Sequence, residues 1–168
     1  MPFTQPITDR TILDIDKLQE YDEIGYQNLT EDQKSEWMLG MKGALNASDL
    51  NRIESNQEYI LNLLSDQYSL LFKTDWAMTD FVKDSDEDRI LSNLKTLMQP
   101  FDFNDQTVVP DKPLNYFEKI NQIESIMLQM YNKYNQHGET LRGGFSTNQD
   151  EIFATSDDQE LNVFTQQI

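Results

Sequence analysis

Apolar residues recur at three- and four-residue steps through much of this chain. The longest such run lies between Met41 and Leu71, where Leu50, Ile53, Ile60, Leu64 and Leu71 form one stripe and Gln57 and Gln67 hold polar places within it. The pattern predicts a long amphipathic helix from about Ala47 to Phe72. Gly43 closes whatever precedes it, Asn46 with Asp49 has the form of an N-cap, and Lys73-Thr74-Asp75 breaks the helix at its far end.

Shorter periodic runs flank it. Thr8 or Thr11 can cap a helix with Ile12, Ile15 and Leu18 on one face, ending near Gly25. Thr30 with Gln33 fits a capping box for a second helix, with Leu29 placed to staple onto the Lys34 stem or Trp37, and Gly40 or Gly43 ends it. Ser85 with Asp88 can cap a helix carrying Ile90, Leu91, Leu94, Leu97 and Met98, which Pro100 stops. The proline-bearing stretch 101–113 reads as a connector returning the chain across the bundle. Asn115 then opens a last helix with Ile120, Ile123, Met127, Met130 and Tyr134 in alternation, closed by Gly138.

The expected fold is all-α, a small bundle of four or five helices. Residues 1–10, with Pro2 and Pro6, form an extended lead-in; residues 11–137 form the helical domain; residues 138–168 form an extended or short-strand arm. In the arm, apolar residues are too sparse for a core of their own. Phe145, Phe153 and Phe164 are costly to leave in water, so a neighbouring subunit is expected to bury them.

Composition narrows the function. A length of 168 residues suits one domain, and 38% hydrophobic content is enough to fold one. No apolar run approaches the ~18 residues that cross a bilayer, and the first ten residues lack the form of a secretory signal, so no membrane insertion is expected. The formal charge of −17 repels nucleic acid and anionic lipid. That charge admits two readings, a solvated acidic surface or mimicry of nucleic-acid phosphates; scattered acids, without like-charge blocks, favour the first.

A heading occurs twice. Leu45-Asn46 precedes Leu50-Asn51-Arg52-Ile53-Glu54-Ser55, and Leu114-Asn115 precedes Ile120-Asn121-Gln122-Ile123-Glu124-Ser125, one residue further on. One local folding solution is used twice. This heading resembles the helix-opening motif of tail-associated structural proteins from phages and prophages of Gram-positive bacteria. Beyond it, the order Thr8-Asp9-Arg10-Thr11, Leu29-Thr30-Glu31 with Glu36-Trp37-Met38, Lys42-Gly43-Ala44, Leu50-Asn51-Arg52-Ile53-Glu54 and Lys73-Thr74-Asp75-Trp76 is similar to a helical module in those proteins, over residues 7 to about 134. The resemblance implies a virion component of the tail, baseplate or connector, made in the host cytoplasm and acting through contacts with copies of itself and other virion proteins.

Candidate chemistry is sparse. With no cysteine and with His137 as the one histidine, no disulfide, thiolate ligand or two-histidine metal site can form. Asp84, Asp86, Glu87 and Asp88 lack the ligand alternation and glycine of a calcium loop and suit a helix N-terminus. Trp37 and Trp76 could line a glycan site, yet at helix edges such rings normally pack. The reading is non-enzymatic, with no catalytic residue, metal or cofactor. Contacts between subunits are expected from Leu50, Ile53, Ile60, Leu64, Ile123, Met127 and Met130 on the helical stripes, and from Phe145, Phe153 and Phe164 on the arm. The alternatives are an acidic inhibitor that mimics nucleic acid and a glycan-binding tail component.

Overall fold

Two reciprocal capping boxes start the architecture. Asp14 accepts the Thr11 amide at 2.7 Å and opens α1, Ile12–Ile24; Gln33 accepts the Thr30 amide at 2.9 Å and opens α2, Glu31–Leu39. In the computed structural model, which describes residues 2–64, 68–104 and 106–143 with side chains through Gln136, three further helices follow. They are α3, Ala47–Leu63; α4, Asp84–Met98; and α5, Phe117–Gly143. The fold is all-α, and no strand occurs among the described residues.

Helices α3, α4 and α5 run parallel. Arg52 of α3 meets Glu124 of α5, and one turn or two later Phe3 packs against both Tyr59 and Tyr131. Glu54 of α3 meets Arg89 of α4, while the Glu87 carboxylate at the start of α4 accepts the Leu114 amide just before α5. Parallel helices need long returns, and each helix is preceded by one. The first return is residues 2–10, the second residues 70–76, and the third residues 101–114. Seven extended residues, Leu70 to Trp76, reach ~23 Å. The 15 residues of α4 rise ~22 Å. A strap of that length therefore brings the chain back to the starting end of the bundle.

One core fills the space between the three helices, with Ile53, Ile60, Ile90, Leu94, Ile123, Met127 and Met130 at its centre. The straps cover its seams, contributing Phe3, Leu70, Phe72, Phe101 and Val109. A second, separate core joins α1 to α2: Tyr21, Leu29 and Met41, with Leu18, Ile24 and Trp37 around them. Leu29 and Trp37 thus belong to the same small cluster. Gly43, just after α2, abuts the first turn of α1, because a Cβ there would collide with the Asp14 carbonyl oxygen.

Several expected boundaries are corrected. The central helix ends at Leu63, not Phe72, and Leu71 is 79% exposed. The amides of Lys73 and Trp76 are drawn to the Glu54 and Asn51 side chains of α3, which a continuing helix could not have allowed. Helix α4 begins at Asp84, where the Asp86 carboxylate, rather than Asp88 with Ser85, closes the box on the Lys83 amide. At α3 the Asp49 carboxylate accepts the Asn46 amide at 3.0 Å, and the Asn46 side chain donates to the Met41 carbonyl. Helix α5 begins at Phe117 rather than Asn115, since Glu87 holds Leu114 in the strap. It also passes through Gly138 to Gly143, so the arm expected from residue 138 starts inside a helix. Phe145, Phe153, Phe164 and the rest of 144–168 lie outside the described residues.

Candidate functional site

The strongest concentration of polar chemistry lies on the twice-used heading. In a helix, residues three apart share a face, so Asn51 stands beside Glu54 and Asn121 beside Glu124. Both glutamates are fully buried. Each pair faces an extended strap, and the two sites match group for group.

In the first, the Asn121 side chain grips the backbone of Arg10 at two points, accepting its amide at 3.2 Å and donating to its carbonyl at 2.8 Å. Glu124 accepts the Ile7 amide at 2.6 Å, three residues upstream, and the Arg10 guanidinium at 3.0 Å. In the second, Asn51 grips Trp76 in the same way, at 2.7 Å and 3.0 Å. Glu54 accepts the Lys73 amide at 2.8 Å, again three residues upstream, and the Trp76 indole N–H at 2.8 Å. Arg10 and Trp76 therefore fill one equivalent slot, each sending an N–H to the carboxylate.

Each carboxylate also receives a forked guanidinium from the next helix. Arg52 donates Nε and Nη2 to the two oxygens of Glu124 at 3.0 and 2.7 Å; Arg89 does the same to Glu54 at 3.0 and 2.8 Å. Three residues before each arginine an aspartate shares it, Asp49 with Arg52 and Asp86 with Arg89. Four residues after each, an asparagine reaches the strap: Asn56 grips Thr4 at two points, and Asn93 donates to the Leu71 carbonyl.

Charge follows from this geometry. The carboxylate of Glu54 holds the Arg89 guanidinium well above its ordinary pKa. Burial opposes the charge on Arg52, but Glu124 and Asp49 outweigh it and raise the guanidinium also. For Asp86, burial pushes upward, while Arg89 and the Lys83 amide prevail and lower it. These carboxylates are locked as acceptors, with every described donor around them supplied by the chain itself. No group of three or more metal-ligating side chains occurs among the described residues.

The seven stripe residues expected to contact other subunits, Leu50, Ile53, Ile60, Leu64, Ile123, Met127 and Met130, are all buried inside this one chain, none more than 6% exposed. They build the bundle, and the straps close over it. Trp76 is likewise buried, with the Lys73 ammonium 3.9 Å from its ring centroid, and Trp37 belongs to the hairpin core. Exposed apolar side chains lie elsewhere: Ile12, Leu13, Met38 and Leu39 on the hairpin, and Leu71, Met78 and Phe81 around the second strap. A groove of about 850 Å³ runs over α4 between the second and third straps, lined by Leu71, Arg89, Asn93, Lys95 and Lys112 among others.

In the sequence Asn51, Glu54, Asn121 and Glu124 show only as a repeated heading, and Arg10 only as one residue of the ordered string. Their shared spacing of three was the signal, since it places amide and carboxylate side by side. No helix among the described residues is long and apolar enough to cross a membrane. Compared with known proteins, the chain matches no family model, no curated protein and no solved structure.

Proposed function

We propose that this chain is a non-enzymatic structural component of a phage virion, in the tail, baseplate or connector, working through contacts with neighbouring virion proteins and copies of itself. The observation that carries the reading is the ordered string of motifs from Thr8 to Trp76 with its second heading at Leu114. The geometry gives those motifs a common purpose. Asp9-Arg10 ends a strap, Lys42-Gly43 seats the hairpin, Asn51 and Glu54 clamp the second strap, and Lys73 to Trp76 is the stretch they clamp.

A scaffold is what such an arrangement suits. Its buried ionic groups are committed to backbone and to one another, so they fix shape. Quantitative mass spectrometry of purified particles from a host carrying the sequence tests the proposal. A fixed copy number per particle, retained through density-gradient purification, is expected; absence from particles while the protein is abundant in the infected cell would overturn it.

A further inference from the structure

The clamp occurs twice, but the frame that carries it has three equivalent helices. Counted from the residue before each helix, Asn46, Lys83 and Tyr116, the core residues Ile53, Ile90 and Ile123 hold one position and Ser55, Ser92 and Ser125 another. The clamp positions differ. There α4 has Asp88 and Leu91, where α3 has Asn51 and Glu54 and α5 has Asn121 and Glu124. Leu91 has no acceptor to offer a strap, and Asp88 pairs with the Lys112 ammonium at 2.7 Å. The third strap is held from other places, at Leu114 by Glu87 and at Val108 and Asp111 by Gln122 and Lys119 of α5.

The missing clamp leaves a gap over α4. On α3, Asn51 holds the second strap and Asn56 the first, and Ser55 between them is 8% exposed. On α4, Ser92 is exposed on the floor of the 850 Å³ groove, with Leu70 and Leu71 on one wall and Pro110 and Lys112 on the other. Lys95 also lines it and has no ion-pair partner among the described residues. In a chain of charge −17, an uncompensated cation beside exposed leucine is a place for an acidic, apolar segment.

We infer that residues 144–168 of the same chain run back along α4 in this groove, as a fourth strap. The inference goes beyond the virion reading and does not depend on it. Topology supports it first: α3 and α4 are each followed by a strap that returns along the side of the bundle, and the seam between α5 and α3 is already filled by residues 2–10. Composition supports it next. Residues 144–168 carry Asp150, Glu151, Asp157, Asp158 and Glu160 with no lysine or arginine, interspersed with Ile152, Phe153, Leu161, Val163 and Phe164. Reach is sufficient. Tyr59 stands level with Tyr131, so α5 passes the end of α3 by about two turns, ~10 Å, before Gly143. Crossing to the next helix takes ~10 Å and the length of α4 ~22 Å, whereas about 25 extended residues span ~80 Å. A tethered segment that can reach its own groove meets it at roughly millimolar effective concentration, which favours it over the same segment of a second copy.

The test uses the full chain. It has no cysteine, so Asp84→Cys places a single nitroxide spin label at the end of α4 far from Gly143. Amide signals of residues 144–168 are expected to broaden strongly, and to keep that broadening when the chain is diluted with unlabelled protein. Adding Lys95→Glu and Leu71→Ser, two exposed positions of the groove, should weaken it at least about threefold. No broadening, or equal broadening with the groove altered, would overturn the inference. So would broadening in a mixture whose spin label and isotope label sit on different chains, since that makes a second copy's segment the occupant.

Discussion

Replacing Glu124 by Gln removes one negative charge from a place where two guanidiniums and a backbone amide converge. Arg10 is 5% exposed and Arg52 is largely covered, so neither can recover water without disturbing the strap. Asp49 remains, shared between them at 2.9 and 2.6 Å, and leaves one positive charge uncompensated. The new amide adds a second injury, because its NH₂ must face either the Ile7 amide or the arginines, donor against donor. Breaking a buried pair by removing one partner costs about 3–5 kcal/mol. Glu54→Gln is gentler. It strands a single arginine, Arg89, whose side chain is 23% exposed and keeps Asp86 at 2.7 Å. A cost of about 2 kcal/mol is expected there, from the unsatisfied donors. Urea unfolding of the two variants at neutral pH, with the slope unchanged and the midpoint lowered, measures both. Against a total of about 5–15 kcal/mol, each variant should still fold at low denaturant. A cost for Glu124→Gln below about 1 kcal/mol, or below that of Glu54→Gln, would refute the assignment of these carboxylates as the strap anchors.

Three further outcomes follow from the same geometry. Asn121→Ala and Asn51→Ala each unhook one strap residue at both backbone groups; each should cost about 1–3 kcal/mol, and hydrogen exchange should rise at the Arg10 amide in the first and the Trp76 amide in the second, not the reverse. Gln57 is fully buried in the main core, where its Nε2 donates to the Ile90 carbonyl and its Oε1 meets no donor, so Gln57→Met should be neutral or stabilising by up to about 1 kcal/mol in thermal melts; a loss beyond that would show the oxygen to be satisfied. Lys73 holds the Asp80 carboxyl below its ordinary range, and Arg89 and the Lys83 amide hold Asp86 there against the effect of burial. Groups lowered in the folded state stabilise above their unfolded value, ~3.9, and lose that contribution as pH falls through the folded one. In ~0.5 M salt, where self-repulsion is screened, the urea midpoint should hold from neutral pH to about 5 and fall below about 4; a rise on acidification over that last interval would contradict the assignment.

Local signals marked the helices well. Thr11, Thr30 and Asn46 each stand directly before a helix, and the alternation of Ile120, Ile123, Met127 and Met130 does face a core. What local reading could not supply is the straps. Their course is fixed by residues far away in sequence, Ile7 by Glu124 and Arg10 by Asn121, and nothing in the composition of residues 2–10 or 70–76 announces a buried backbone. For the same reason the periodicity predicts a central helix that runs too long, since Leu64 and Leu71 keep the helical interval while the Lys73 and Trp76 amides are claimed by Glu54 and Asn51. The periodicity of a stripe also does not say what covers it. Strap residues such as Phe3, Phe72 and Val109 supply the missing cover, which places the expected contact residues in the interior.

The buried carboxylates are a consequence of running three helices in parallel. An antiparallel bundle turns at its ends, where water satisfies the loops; a parallel one must carry its returns along its sides, over apolar seams, with their amides facing inward. A buried amide without a partner costs about 1–3 kcal/mol. Side chains on the helices must therefore offer acceptors to the straps. Asparagine does this neutrally and matches a residue's amide and carbonyl together, as at Thr4, Arg10 and Trp76. Glutamate accepts more donors at once, but as a buried anion it demands a cation of its own, and Arg52 and Arg89 meet that demand from the adjacent helix. The arginine then ties helix to helix as well as helix to strap. Both sites arrived at the same residues for the backbone and at different ones, arginine and tryptophan, for the strap side chain. Backbone capture is thus the shared requirement; the slot holds a long side chain with an N–H to give, which at Arg10 also carries a charge paired with Asp49 and Glu124 and at Trp76 is neutral. Arg10→Trp, which keeps one N–H for Glu124, should accordingly lower the urea midpoint less than Arg10→Leu, which gives none, although both leave Asp49 and Glu124 to Arg52 alone; equal losses would show that the N–H is not what the slot requires.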